Sequence, residues 1–326
     1  MAQAEGSVAH NSSEAIPPES HAYIVSKLPR REGWSQPLVL YKNYWIRPRH
    51  VDNIRRLHGS FKARPEDTIL VSNPKCGTTW LKALAFAITN RSRYDFDHHP
   101  LLFRHPQELV PSMEIPKGVS LDYVETLPSP RILGTHMPIS LLPESVVGCG
   151  CRIVYICRDP KDVFVSRWHF ENRITTGQQI DLENAFNMFC EGVSPFGPFW
   201  NHCLEYWRES TTRPGTVLFL KYEELMSEPV RCVKRLAEFL GVPFTVKEEQ
   251  DRIPDDVVKL CSFNQLSGLK IHQTGEFVRN ENVVIERSVF FRRGKVGDWV
   301  NHMSQEMGRK LDYIVEDKLK GSGMMF

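Results

Sequence analysis

The chain of 326 residues contains no apolar run near the roughly 18 to 20 residues needed to cross a bilayer. Its richest stretch, Leu81 to Ile88, is short and carries Lys82. Net charge is nearly absent, since 41 Lys and Arg face 39 Asp and Glu. That balance excludes a nucleic-acid binder driven by bulk charge, but a few basic groups and backbone amides could still form a local anion site. Residues Met1 to His21 lack the charged-then-apolar order of a secretory leader. The eight cysteines include no C-x-x-C pair. Cys149, Cys151 and Cys157 therefore lack zinc-site spacing, and all eight are expected to be reduced thiols of a cytoplasmic protein. No internal repeat is present. What remains is ordinary globular composition, 41% apolar and 25% charged, at a length suited to one large domain.

After a polar, Pro-containing arm over 1–22, short apolar runs alternate with helical patterns through a domain spanning 23–326. Thr68 to Ser72 predicts a buried strand, and Thr78 to Asn90 a helix with Leu81, Leu84, Ala85 and Ile88 on one face. Arg131 to Thr135, Arg152 to Cys157 and Thr216 to Leu220 are further strands, and Val230 to Leu240 a further helix. Asp159-Pro160-Lys161-Asp162 has the marks of a helix start: an acidic cap, Pro at the first position and a carboxylate in the first turn. Strand-then-helix alternation predicts an α/β fold, a single domain with a central, mostly parallel sheet flanked by helices. Residues 91–130 and 265–290 fit this pattern poorly and are expected to face a substrate.

Asn73-Pro74-Lys75-Cys76-Gly77-Thr78-Thr79-Trp80 lies between the first strong strand and its helix, where α/β folds bind phosphates. Gly77 permits a tight turn around an anion, the following amides point out of the helix start, Lys75 adds charge, and Thr78 and Thr79 add hydroxyl donors. A plain strand-to-helix turn would explain Gly77 and Thr78 but neither Lys75 nor Trp80. The loop is not a Walker A motif, because Lys75 does not directly precede Ser or Thr.

With three further segments in order, this loop resembles the soluble, PAPS-dependent sulfotransferases of the plant small-molecule type. PKCGTTW is similar to their 5′-phosphosulfate loop. Thr135-His136-Met137-Pro138 resembles the segment with the family's general base, and Arg158 to Ser166 (RDPKDVFVS) the 3′-phosphate motif. Phe291 to Trp299 (FRRGKVGDW) resembles the RKGxxGDW signature. The Trp168-His169-Phe170 ending and the Gly-Ser-Gly tail agree with plant members, and the match covers roughly 40 to 325.

The resemblance implies sulfuryl transfer from 3′-phosphoadenosine 5′-phosphosulfate (PAPS) to a small hydroxylated metabolite, leaving adenosine 3′,5′-bisphosphate, with no metal, nucleic acid or membrane involved. His136 would act as general base, and Lys75 would stabilise the leaving phosphate. Residues Cys76 to Thr79 would hold the 5′-phosphate. Arg158, Ser166, Arg292, Arg293 and Gly294 would hold the 3′-phosphate. Trp80 and Phe263 would sandwich the adenine, with Tyr222 at its edge. Cys76 stands where Ser is usual, and a thiol is a poor donor. Gly134 occupies a position where many animal members carry a second Lys, and the animal dimer motif after GDW is missing. His99, His105, Met113 and Phe196 are expected acceptor liners. The other readings are an ATP-dependent phosphotransferase with a P-loop-like site and a non-catalytic nucleotide binder.

Overall fold

The computed structural model of the protein describes residues 21–114, 122–175, 177, 179–280 and 283–326. The arm expected over 1–22 lies outside them except for its last two residues, which begin a short helix, His21–Ser26. An antiparallel meander follows: β1 (Arg30–Arg31), β2 (Leu38–Tyr41) and β3 (Tyr44–Ile46). Lys42 and Asn43 close its hairpin with φ of +47° and +69°. Two consecutive left-handed residues make the primed turn that suits the strand twist. Helix α1 (Pro48–Ser60) then packs Val51, Ile54 and Leu57 into the core.

The central sheet has four parallel strands in the order β5-β4-β6-β7, where β4 is Thr68–Val71, β5 Ile132–Thr135, β6 Arg152–Cys157 and β7 Val217–Lys221. Its alternating side chains separate into two cores. Ile69, Val71, Ile153, Tyr155, Val217 and Phe219 join the larger core, which also contains residues of α1, α3 (Pro160–Ile174) and α4 (Phe199–Thr212). Leu70, Val154, Ile156, Leu218 and Leu220 point the other way. They pack with α2 (Thr78–Asn90), α5 (Pro229–Phe239) and α6 (Ile253–Leu260). Burial on both faces is why these strands are almost wholly apolar in the sequence.

The expected elements lie where the pattern places them, with shifts of a residue or two at the ends. The β4 strand ends at Val71, and the hydroxyl of the next residue, Ser72, lies 2.6 Å from that of Thr78 at the start of α2. The two irregular segments contain short elements of their own. Pro100–Leu102, Pro106–Leu109 and Asp122–Thr126 are single helical turns. Phe263–Gly268 and Lys270–Gln273 are short helices, followed by the hairpin β8 (Glu276–Asn280) and β9 (Val283–Glu286). The segments are joined by an ion pair between Arg287 and Glu108, 2.9 Å, and by the His105 ring against His272 and Phe290.

At the amino ends of the sheet, Asp67 and Arg131 form a fully buried ion pair at 2.6 Å. Asp67 also accepts from the Arg64 amide, and Arg131 donates to the Lys62 carbonyl. Removing one partner strands the other charge in the core. We expect Asp67→Ala to lower stability by about 3–5 kcal/mol, read by urea unfolding. Because this pair lies at the opposite end of the sheet from the carboxyl-terminal loops, anion binding by the folded fraction should be unchanged.

Candidate active site

All four parallel strands deliver functional groups at their carboxyl ends, where open α/β sheets form their crevice. The loop Ser72–Gly77 follows β4, His136 follows β5, Arg158 follows β6 and Tyr222 follows β7. Residues 291–295 close the crevice from the carboxyl-terminal side. The result is one cavity of about 730 Å³. It is lined by His136, Lys75, Gly77, Thr78, Thr79, Trp80, Arg158, Ser166, Tyr222, Phe263, Arg292, Arg293 and Gly294. Every predicted site residue except Cys76 therefore meets here.

Cys76 departs from expectation for a geometric reason. Its side chain turns away from the cavity, under the loop, into the larger core, where it is fully buried. Burial pushes its thiol well above the usual range, so it is a neutral packing group. The backbone carries the turn instead, with Lys75 at φ +79° and Gly77 at +106°. A Cβ on Gly77 would lie 2.9 Å from the Tyr222 ring, so the loop and this ring are in direct contact. Arg167 ties the loop down by donating to Asn73 Oδ1 at 3.2 Å and to the Pro74 carbonyl at 3.0 Å. Sequence reasoning missed it, because an Arg-x-x-x-Glu spacing on a helix usually marks a solvated face. Here Arg167 and Glu171 are both buried, and Glu171 pairs with buried Arg47 at 2.6 Å.

The cavity has a large excess of positive charge. Lys75, Lys295, Arg47, Arg104, Arg158, Arg167, Arg292 and Arg293 line it, against only Glu108 and Glu171 among the described residues. Burial, with the fields of Arg167, Arg292 and Arg158, pushes Lys75 down to about 7, while Glu171 opposes the shift. Its ammonium rests 4.1 Å from the centre of the Phe170 ring.

Two buried carboxylates fix the guanidiniums. Asp159 caps α3 by accepting from the Lys161 amide at 2.8 Å, with Pro160 in the first turn. One turn on, Asp162 accepts from Arg158 at 3.1 Å and from the amides of Gly297 and Trp299 at 2.8 and 3.0 Å. Asp298 pairs with Arg292 and accepts from Asn301. Arg158 also lies 4.4 Å over the Tyr222 ring and donates to the Lys295 carbonyl at 2.6 Å. Gly294 sits at φ +61° flush against Phe263, where a Cβ would strike the ring.

His136 is oriented from behind. Its Nδ1 lies 2.8 Å from the Ser72 carbonyl. A carbonyl only accepts, so Nδ1 carries the proton and Nε2 is the basic nitrogen. The His136 amide donates to Glu114 at 2.7 Å, and its carbonyl accepts from His202 at 2.9 Å. Of the expected acceptor liners, Phe196 faces the cavity. His99 and His105 are buried behind it, because each uses Nδ1 to cap a single helical turn at Leu101 and Gln107. Met113 is core.

A phosphorylated nucleotide fits this arrangement. Trp80 Nε1 and Arg158 Nε are buried without a hydrogen-bond partner among the described residues. Among the described residues, no group of three or more His, Cys, Asp or Glu side chains is placed to hold a metal.

The sulfotransferase domain family matches residues 65–323. The chain belongs to that family, in its plant cytosolic branch. It is 44% identical to cytosolic sulfotransferase 17 of Arabidopsis thaliana over 93% of this chain and 89% of the relative. Identity to flavonol 4′-sulfotransferase of Flaveria chlorifolia is 40%, over 94% and 97%. A crystal structure of an Arabidopsis thaliana sulphotransferase superposes with a TM-score of 0.74 at 37% identity, covering 93% of this chain and 94% of the other. The fold is shared with mouse sulfotransferase SULT7A1, crystallised with PAP, at a TM-score of 0.68 and 24% identity over 87% and 95%. No helix among the described residues is long and apolar enough to cross a membrane.

The depressed Lys75 gives a pH dependence with a definite sign. Its ammonium is present below about pH 7 and lost above it, so anion binding favours the protonated form. We expect affinity for adenosine 3′,5′-bisphosphate to weaken by up to about tenfold between pH 7 and 8.5, with proton uptake on binding. Calorimetric titration in buffers of different ionisation enthalpy measures both. Lys75→Met should flatten the profile, and an unchanged slope in that variant would contradict the assignment.

Proposed function

We propose that this sulfotransferase moves a sulfuryl group from PAPS to a hydroxyl of a small, largely aromatic acceptor in the cytosol. The observation that carries this reading is the convergence of Lys75, Arg158, Ser166, Arg292 and His136 on one cavity from three strand ends and the carboxyl-terminal segment. PAPS supplies an activated sulfuryl group on a phosphate that leaves as an anion.

The protein's own groups divide the remaining work. Thr78, Thr79 and the amides at the start of α2 hold the 5′-phosphate at a helix amino end. Arg158, Ser166 and Arg292, with the backbone at Arg293 and Gly294, hold the 3′-phosphate. Bidentate guanidinium contact gives this site its geometry. Trp80 and Phe263 take the two faces of the adenine and Tyr222 its edge. His136, held through Nδ1 by the Ser72 carbonyl, takes the acceptor proton on Nε2 as the new O–S bond forms. Lys75 meets the charge that develops on the leaving phosphate oxygen, in a site poor in water, where such an interaction is strongest. Binding of phosphates beside Lys75 favours its charged form, so the donor itself restores the ammonium that the free site holds weakly. Phe170, Phe196, Phe290, Tyr123 and Ile285 line the same cavity, and these aromatic and aliphatic walls favour a ring-bearing acceptor.

Three measurements test this reading. Melting temperature without magnesium should rise most with adenosine 3′,5′-bisphosphate, ahead of ATP and AMP; ATP winning, with a magnesium requirement, would point to phosphoryl transfer. Donor-dependent sulfation of a hydroxylated metabolite library, read by mass spectrometry, should return sulfate esters and identify the best acceptor. Among variants, His136→Ala should lose about 10²–10⁴-fold in turnover while keeping bisphosphate affinity. Arg158→Ala should weaken the bisphosphate about 10- to 100-fold and AMP far less. Equal losses for both nucleotides would remove the 3′-phosphate assignment.

A further inference from the structure

Lys82 is a buried amine that the reaction described above does not use, and burial pushes it down to about 7. It lies in α2, one turn beyond Thr78 and Thr79, and its side chain is about 1% exposed. An ammonium has three donors, and this one has three oxygen acceptors: the Val110 carbonyl at 2.9 Å, Ser112 Oγ at 3.1 Å and Gln107 Oε1 at 2.5 Å. All three belong to the segment 107–114, which forms one wall of the cavity through Gln107, Pro111 and Ser112.

The same segment is bound to the edge of the central sheet. The Gly134 amide donates to the Pro111 carbonyl at 2.8 Å, and the Met113 amide donates to the Gly134 carbonyl at 2.9 Å. Two residues further along, Glu114 accepts from the His136 amide at 2.7 Å. The Lys82 side chain reaches its acceptors by lying directly on Gly134. A Cβ at that position would lie 2.8 Å from the ammonium nitrogen and still closer to the carbon before it. A side chain at 134 would therefore displace a lysine 52 positions earlier in the chain. Gln107 completes the link by donating to Thr79 Oγ1 at 3.4 Å.

We propose that Lys82 is a positioning residue for the acceptor: its ammonium clamps segment 107–114 between the phosphate helix and the β5 edge, and so holds the acceptor wall in register with Thr79 and His136. This rests on the sulfotransferase reading of the cavity, with 107–114 on its acceptor side. The role needs both the amino group of Lys82, with its three hydrogen-bond partners, and the missing side chain at 134, and this joint requirement makes it testable.

The first variant is Lys82→Met, which keeps most of the stem and removes the amino group. We expect the acceptor KM, measured with the best acceptor of the library screen, to rise about tenfold. The dissociation constant of adenosine 3′,5′-bisphosphate should stay within about twofold, and amide exchange across 107–114 should accelerate. Gly134→Ala, which displaces the ammonium, should give the same signature. In a Lys82→Ala background, the added Gly134→Ala should cost almost nothing, so that the double-mutant cycle is strongly non-additive. An unchanged acceptor KM in Lys82→Met, or a parallel loss of bisphosphate affinity, would overturn the proposal, as would additivity in the cycle. Should Lys82→Met fail to fold, Gly134→Ala alone decides by the same KM and exchange readouts. Failure of the wild-type protein to sulfate any compound would instead count against the functional reading, and bisphosphate affinity with amide exchange would still test the clamp.

Discussion

The site depends on the carboxylate of Asp162. It is completely buried, a costly position for a charge unless strong donors surround it. Those donors come from both ends of the fold: the Arg158 guanidinium at the end of β6 and the amides of Gly297 and Trp299 in the carboxyl-terminal segment. One side chain thus aims the Arg158 guanidinium and docks the loop that brings Arg292, Arg293 and Gly294 to the cavity. Asp298 repeats the device from the opposite side by holding Arg292. Two acids embedded in a basic wall set the positions of its arginines and leave most of its positive potential in place.

That potential has a cost, visible at Lys75. Crowded by three guanidiniums and desolvated by burial, its ammonium is held weakly, against the opposing field of Glu171 and the contact with the Phe170 ring face. A site built this way is tuned to bind anions rather than to be stable without them, the usual trade at functional sites.

Much of this was legible in the sequence because it depends on local rules. A parallel sheet buried on both faces leaves apolar runs, so the limits of β6 and of α2 could be read directly. Asp159-Pro160 announced the start of α3. The four motifs hold twelve of the fourteen predicted site residues, and all of these but Cys76 line one cavity together with Tyr222 and Phe263. What stayed hidden involves partners distant in sequence or turns without a strong local signature. The β2–β3 hairpin turns on Lys42-Asn43 rather than Asn-Gly. Arg167, Glu171 and Arg47 look like surface charges until the tertiary fold buries them together. No spacing rule links Lys82 to Gly134, and nothing within the loop motif says that Cys76 faces inward. His99 and His105 drew attention as polar groups in irregular segments, yet each is consumed by capping the turn that follows it.

The inward rotation of Cys76 has a chemical consequence. A thiol is reactive as the thiolate and only where reagents can reach it. The cysteine in the phosphate loop is sealed below the backbone and held neutral by burial, and Cys151, Cys157, Cys203, Cys232 and Cys261 are buried too. Only Cys149 and Cys190 are partly open to solvent, and neither borders the cavity. Thiol-directed reagents will therefore meet Cys149 and Cys190 at the periphery first, and the cysteine in the middle of the signature loop is shielded from them by burial.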